Sequence, residues 1–181
     1  PNGTPGDGGD FHLGMGVSIL PNQWYHIAFT RDIASQTATG YLNGLQKSQV
    51  IATGWVAPST TSAPITMGQS YGAGQYGYIS EMRVWNVVRS QSEIQGAMSQ
   101  RLDPALEQGL VSYWRCDEGS GSVLKDLGSN GFDLTFSSPA SPTWRTATSP
   151  FRSSEWAIGL AGEFFLNGLL GGGSYLDLRA R

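Results

Sequence analysis

Trp24-Tyr25-His26-Ile27-Ala28-Phe29-Thr30-Arg31 decides the fold. A strand sends successive side chains to opposite faces. Trp24, His26, Ala28 and Thr30 then point one way, and Tyr25, Ile27 and Phe29 the other. Both sets carry aromatics, which fits a strand inside a two-layer sandwich. Asp32–Gln36 reads as a turn and Thr37–Asn43 as the returning strand. Asn43-Gly44 is a two-residue hairpin signal, because both residue types tolerate positive φ. Leu45–Trp55 continues as a third strand, completing a β-meander.

Outward from this block, the same period of two recurs. Phe11–Val17 alternates large and small residues and is an expected strand, entered from the turn-forming residues 1–10. Downstream, Pro58–Ala63 is a Ser/Thr/Pro loop, Ile65–Gly68 a short strand, Gln69–Gly77 a glycine-rich loop and Tyr78–Asn86 a longer strand. The period then changes. Ser90 has the chemistry of an N-cap, and Glu93 three residues later completes a capping-box pattern. Ile94, Ala97 and Met98 share one helical face, so a helix is expected over about Gln91–Gln100. Strands are expected again at Leu110–Cys116 and Phe132–Phe136, with turns at Asp117–Gly121 and Asp126–Gly131. A Ser/Pro linker leads to Trp144, where the organised stretch is expected to end. The expected class is all-β, an antiparallel β-sandwich with one short helix near 91–100.

Composition agrees. Only 14% of the 181 residues are charged, against roughly 25% in an average globular chain. Glycine, serine and threonine take their place, as in short strands joined by many turns. Net charge is −3 with no basic block. Nucleic acid is therefore not an expected partner, since a duplex demands a clustered cationic surface. The stretch Trp156–Leu170 is interrupted by Glu163 and Asn167. It is too short and too polar to insert in a membrane. One cysteine, Cys116, and two histidines argue against a structural zinc site. Pro1 is not an initiator, so the chain reads as a processed or excised piece.

An ordered series of blocks carries a family resemblance. It runs from Leu20-Pro-Asn-Gln-Trp24-Tyr-His26-Ile-Ala-Phe through Gly40-Tyr41-Leu42-Asn43-Gly44 and Ile65-Thr-Met67-Gly68-Gln69. It continues with Gly77-Tyr-Ile79-Ser-Glu81-Met-Arg83-Val-Trp85-Asn86, Arg89-Ser90-Gln91-Ser92-Glu93-Ile94 and Gly109-Leu110-Val111-Ser-Tyr113-Trp114. Asp117-Glu118-Gly119-Ser-Gly121 with Asp126 closes it. The series resembles the laminin-G-like, concanavalin A-like jelly-roll family, in its bacterial form and in pentraxins. The resemblance implies two packed antiparallel sheets that bind glycans or proteins, and it admits calcium as a cofactor.

Two departures accompany it. The family opens with several strands before the block at Trp24, whereas only about 20 residues precede it here, so opening strands are expected to be lacking. Residues 152–181 lie beyond the family's usual end, yet Gly162-Glu-Phe-Phe165-Leu166-Asn167-Gly168 and Gly173-Ser-Tyr175-Leu176-Asp177-Leu178 are similar to its opening strand. The expected organisation is a jelly-roll module over 1–150 and a tail over 151–181. The tail either begins a following repeat or folds back to complete the sandwich, and self-association through 152–181 is an expectation.

Candidate sites follow. In Gln69–Gly77, Tyr71 and Tyr76 can stack on the apolar faces of sugar rings, and Gln69, Ser70 and Gln75 can hydrogen-bond hydroxyls. The plainer alternative is a connection whose tyrosines lie flat on the sheet. Trp55 is a further stacking candidate. In pentraxins the loop at this position carries acidic calcium ligands, but this one has no Asp or Glu. Asp126, Asn130 and Asp133 are one candidate oxygen set and Asp7 with Asp10 another, each against the alternative of Asx-turns. His12 and His26 read as core or edge histidines, without a nucleophile beside them. Glu81 and Arg83 share a strand face and read as a salt bridge. Trp24, Trp85, Trp114 and Trp144 read as packing residues.

No carboxylate pair spaced for glycoside hydrolysis occurs, so catalysis is not expected. The expected function is a non-catalytic binding module of an extracellular or cell-surface protein, recognising a glycan or a cell-surface protein. The alternative is a structural or adhesive repeat that assembles head-to-tail.

Overall fold

A computed structural model describes residues 14–51, 76–135, 143–149, 152–161 and 174–180. In the last three of these segments only the backbone is described, Trp144 excepted. The expected all-β class is there: antiparallel strands with one short α-helix.

The meander forms as its sequence dictates. β1 (Tyr25–Asp32), β2 (Thr37–Leu42) and β3 (Leu45–Ile51) pair in order. Asn43 and Gly44 turn between β2 and β3 at φ 50° and 72°. A Cβ on Gly44 would lie 2.7 Å from Gln95 Cγ, so the turn needs glycine for conformation and for space. Along β1, His26, Ala28 and Thr30 are buried while Ile27 and Phe29 are half-buried.

β4 (Tyr76–Trp85) is the axis of the molecule. β5 (Leu110–Trp114) pairs along its second half and β9 (Arg152–Ala161) along its first. β8 (Thr143–Ser149) continues beyond β9. On the other side of β4 lies β10 (Ser174–Ala180), which also pairs with β1. The sheet order is thus β3-β2-β1-β10-β4-β9-β8, with β5 beside β4. A separate ribbon joins β6 (Val123–Leu124) to β7 (Leu134–Thr135).

Each face of the large sheet carries a core. One holds Ile79, Met82, Val84, Trp114 and Cys116, with Leu124 and Leu134 of the ribbon. The other holds Ala28, Tyr41, Trp85, Leu110 and Tyr113 under α1 (Gln91–Ala97), whose Ile94 is fully buried. Ile79 and Met82 share a face although three positions apart, because β4 bulges at Glu81. Glu81 has φ 58°, and three steps of β4 (Ser80 to Arg83) oppose two of β10 (Arg179 to Asp177). A bulge of one residue reverses the alternation beyond it.

The helix has the expected capping box, with Ser90 accepting from the Glu93 N–H and Glu93 accepting from the Ser90 N–H. It stops at Ala97, short of the expected Gln100. The carbonyls of Ala97, at the helix end, and of Gln100, beyond it, accept from the Arg83 guanidinium of β4, which anchors this end of the helix on the sheet.

Two further expectations change, and a third is described only in part. Residues 14–20 form no strand, and Gly16 adopts φ 60°, which breaks an extended run. The organised stretch does not end at Trp144, because β8 (Thr143–Ser149) and β9 (Arg152–Ala161) pair antiparallel with each other. The third strand is described as far as Ile51; Trp55 lies outside the described residues.

Candidate functional site

The candidate ligand loop enters β4 at Tyr76. Gln69, Ser70, Tyr71, Gln75 and Trp55 lie outside the described residues, as do Asp7, Asp10 and His12. Tyr76 is the first residue of β4, its backbone paired with Ala161. Register fixes which end of the sheet this is. Ile79 is level with Ala180, Ala180 with Tyr25, and Leu42 with Ile27. The loop therefore enters at the end that carries the Asn43-Gly44 turn. That turn is rigid: the Asn43 N–H donates to His26 O at 2.8 Å, and Asn43 Oδ1 accepts from the His26 N–H at 2.9 Å. Gln95 of α1 donates to Gly44 O at 3.0 Å. His26 itself is fully buried, a core histidine.

The Asp126 set is a hydrogen-bonded turn. Asp126 Oδ1 accepts from the backbone N–H groups of Tyr113 and Gly128, each at 2.8 Å, and Oδ2 from that of Phe132 at 2.9 Å. Asp133 Oδ1 accepts from the Asp126 N–H at 3.0 Å, and its other oxygen pairs with Lys125. That lysine contact, ahead of the Asp126 N–H, holds the Asp133 carboxyl below its ordinary 3.8. Asn130 turns its amide N–H to Val111 O at 3.1 Å. Asp126 and Asp133 are thus brought together, and their oxygens face N–H donors, the Asx-turn arrangement. Gly128 is held so close that a Cβ would lie 2.5 Å from Val111 O. Among the described residues no three His, Cys, Asp or Glu side chains are grouped to hold a metal ion.

The densest polar chemistry lies inside, under α1. Glu81 and Arg83 have no exposed surface and pair at 2.9 Å. Arg101 approaches the other Glu81 oxygen at 3.5 Å and pairs with Asp117 at 2.8 Å. The Tyr113 hydroxyl donates to Glu81 Oε2, and the Arg83 guanidinium lies 5.3 Å from the Tyr113 ring centre. Burial, then the Glu81 charge, pushes the Tyr113 hydroxyl above its ordinary 10.0. Glu81 holds these contacts from the bulge of β4, at φ 58°. Sequence reading found the Glu81–Arg83 pair and missed Tyr113, Arg101 and Asp117. The second carboxylate of the cluster, Asp117, is partly exposed and is held by Arg101.

Cys116 is equally inert. Burial first, then the charges of Glu118, Glu81 and Asp117, pushes its thiol well above the ordinary 9.0. Trp85 and Trp114 are fully buried, so both pack the cores as expected. Trp144 donates to Gly121 O at 3.1 Å and Trp114 to Phe132 O at 2.9 Å, tying the sheet to the loops around the ribbon.

A laminin-G family of the concanavalin A-like lectin/glucanases superfamily matches residues 3–95, just over half of the chain. The chain belongs to that family. The matched part of this laminin-G chain holds the meander, β4 and most of α1. No curated protein and no solved structure matches it. Laminin-G-like domains are generally non-catalytic binding modules, and their superfamily also includes glycosidases. Among the described residues no helix is long and apolar enough to cross a membrane.

Proposed function

We propose that this laminin-G chain is a non-catalytic binding module of an extracellular or cell-surface protein, and that its ligand is a glycan. Family membership carries the reading. The sheet end at Tyr76 supports it. A loop bearing two tyrosines and three amide or hydroxyl side chains leads into β4 at the end of the sheet that also carries the turn clamped by β1 and α1, with β10 and β1 between β4 and β2. Rigid walls and an aromatic loop suit a sugar, whose C–H face stacks and whose hydroxyls hydrogen-bond. Gln69, Ser70, Tyr71, Gln75, Tyr76 and Trp55 are the proposed contacts.

Calcium is not needed in this reading, because the loop carries no carboxylate and Asp126 and Asp133 face N–H donors and Lys125. A cell-surface protein partner would use the same end through the same tyrosines. The test is a glycan array, run with calcium and with a chelator. Binding that persists without calcium and drops at least tenfold in Tyr71→Ala and Tyr76→Ala supports the proposal. Absence of binding to any glycan in both conditions overturns it.

A further inference from the structure

Asn-Gly is a chemically labile pair as well as a turn signal. The backbone nitrogen that follows an asparagine can attack the side-chain amide carbon, and glycine offers that nitrogen without a side chain in the way. Two such pairs lie among the described residues, Asn43-Gly44 and Asn130-Gly131. Both asparagines are exposed, and both glycines take positive φ, at 72° and 64°. The dipeptide is the same, and the fold holds it in two different ways.

Asn43 is locked. Its N–H donates to His26 O at 2.8 Å and its side-chain oxygen accepts from the His26 N–H at 2.9 Å, on a residue that is itself fully buried. Gly44 is buried, and its carbonyl accepts from Gln95 at 3.0 Å. A Cβ there would lie 2.7 Å from Gln95 Cγ and 3.1 Å from Met98 Sδ. Closing a ring between the Asn43 side chain and the Gly44 nitrogen turns the amide away from β1 and rotates the peptide between them. Both motions work against packed neighbours, and an N–H left buried without its acceptor is costly. Asn130 is held by its amide N–H to Val111 O at 3.1 Å, an exposed bond that water replaces at modest cost. Gly131 is exposed, and nothing lies within 4 Å of where its Cβ would be.

We propose that Asn130-Gly131 is a self-modification site, and that the fold protects Asn43-Gly44 from the same reaction. The Gly131 nitrogen gives its proton to solvent base and bonds to Asn130 Cγ. The Cγ–Nδ2 bond breaks, and the amide nitrogen takes up a proton and leaves as ammonia. The product is a cyclic succinimide. Water then opens it at either carbonyl, giving aspartate at one and isoaspartate at the other. The net change is one water consumed and one ammonia released, with no oxidation or reduction. The new carboxylate replaces the N–H that Val111 O accepts, and it adds a negative charge to the turn of Asp126 and Asp133. Isoaspartate also lengthens the main chain just before Gly131, whose carbonyl accepts from the Asp133 N–H at 2.9 Å. Next comes Phe132, whose N–H donates to Asp126 and whose carbonyl accepts from Trp114. The reaction thereby loosens the tie between the sheet and the β6–β7 ribbon.

Peptide mapping by mass spectrometry tests this on the full chain, kept folded in mildly alkaline buffer and sampled over weeks, with aspartate and isoaspartate separated by chromatography. Conversion at Asn130 should run roughly tenfold or more faster than at Asn43. The same chain in urea is the control. There the two pairs should convert at rates within about threefold of each other, because only local sequence acts. Comparable rates in the folded chain, or a faster one at Asn43, overturn the proposal. A gap of the same size in urea also overturns it, since the difference would then lie in the flanking residues and not in the fold. Asn130→Gln should abolish the change in its peptide and leave Asn43 as it was, because the longer side chain closes its ring far more slowly. A mass change that persists in that peptide places the reaction elsewhere and overturns the site. Hydrogen exchange reads the consequence. The converted chain should lose protection at the Phe132 and Asp133 N–H groups relative to Asn130→Gln incubated alongside, and equal protection overturns the loosening. Sugar binding enters none of these readouts, so failure here and failure of the proposed function are told apart.

Discussion

Two acidic centres, Glu81 and Asp126, meet at one residue and are built by opposite means. The Tyr113 hydroxyl bonds Glu81 and its backbone N–H bonds Asp126. Glu81 sits on a strand bulge, without exposed surface, among side chains from β4, β5 and the segment beyond α1. Asp126 sits in a loop near the surface and takes mainly the backbone of its own turn. A buried charge has no water to fall back on, so every partner counts. A loop carboxylate exchanges its protein donors for water at modest cost. The first centre fixes where α1 ends and how β4 alternates, while the second shapes one turn.

The sharpest way to break the comparison is Arg83→Met. It leaves the Glu81 carboxylate buried and strips two carbonyls at the end of α1 of their donor. Loss of one partner of a buried pair should lower stability by about 3–5 kcal/mol, read by urea unfolding. A loss below about 1 kcal/mol would mean that water reaches the cluster and that the two centres do not differ in kind. Adding Glu81→Leu to Arg83→Met should restore part of the loss, since the orphaned charge goes too.

Asp126→Ala should cost less, about 1–3 kcal/mol, because three N–H donors lose an acceptor in a site water can enter. A cost equal to that of Arg83→Met in the same urea series would erase the proposed distinction.

The smallest effect belongs to a purely local carboxylate. The Ser90 hydroxyl, then its backbone N–H, holds the Glu93 carboxyl below its ordinary 4.5. The stabilisation is complete above the unfolded value and is lost as pH falls through the lowered folded value. Ser90→Ala should therefore cost about 1 kcal/mol at neutral pH and less in acid. Thermal melts of the two proteins at pH 7 and pH 3 check this, and a difference that grows in acid would contradict it.

Legibility in the sequence follows the same division. The β1–β3 meander, the Asn43-Gly44 turn and the Ser90 cap were readable because each depends on a few neighbouring residues with distinct conformational preferences. The end of α1 was not, because Arg83, fourteen positions before Ala97, supplies the donor. The β8–β9 hairpin was missed because Thr and Ser serve equally in strands and linkers, and only pairing with β4 decides between them. The Glu81–Arg83 pair was legible on one strand face; Tyr113, Arg101 and Asp117 joined it only through the packing of β5 and the segment after α1.

Sequence by itself determined the antiparallel β class, the family, and a glycine-rich tyrosine loop leading into β4, since these rest on local pattern and residue order. Tertiary structure alone decided that β4 bulges at Glu81, that an ion cluster fills the space beneath α1, and that β10 lies between β1 and β4. Strand order and buried charge partners arise from contacts between residues far apart in the chain, and no local pattern encodes which distant edge a strand will find.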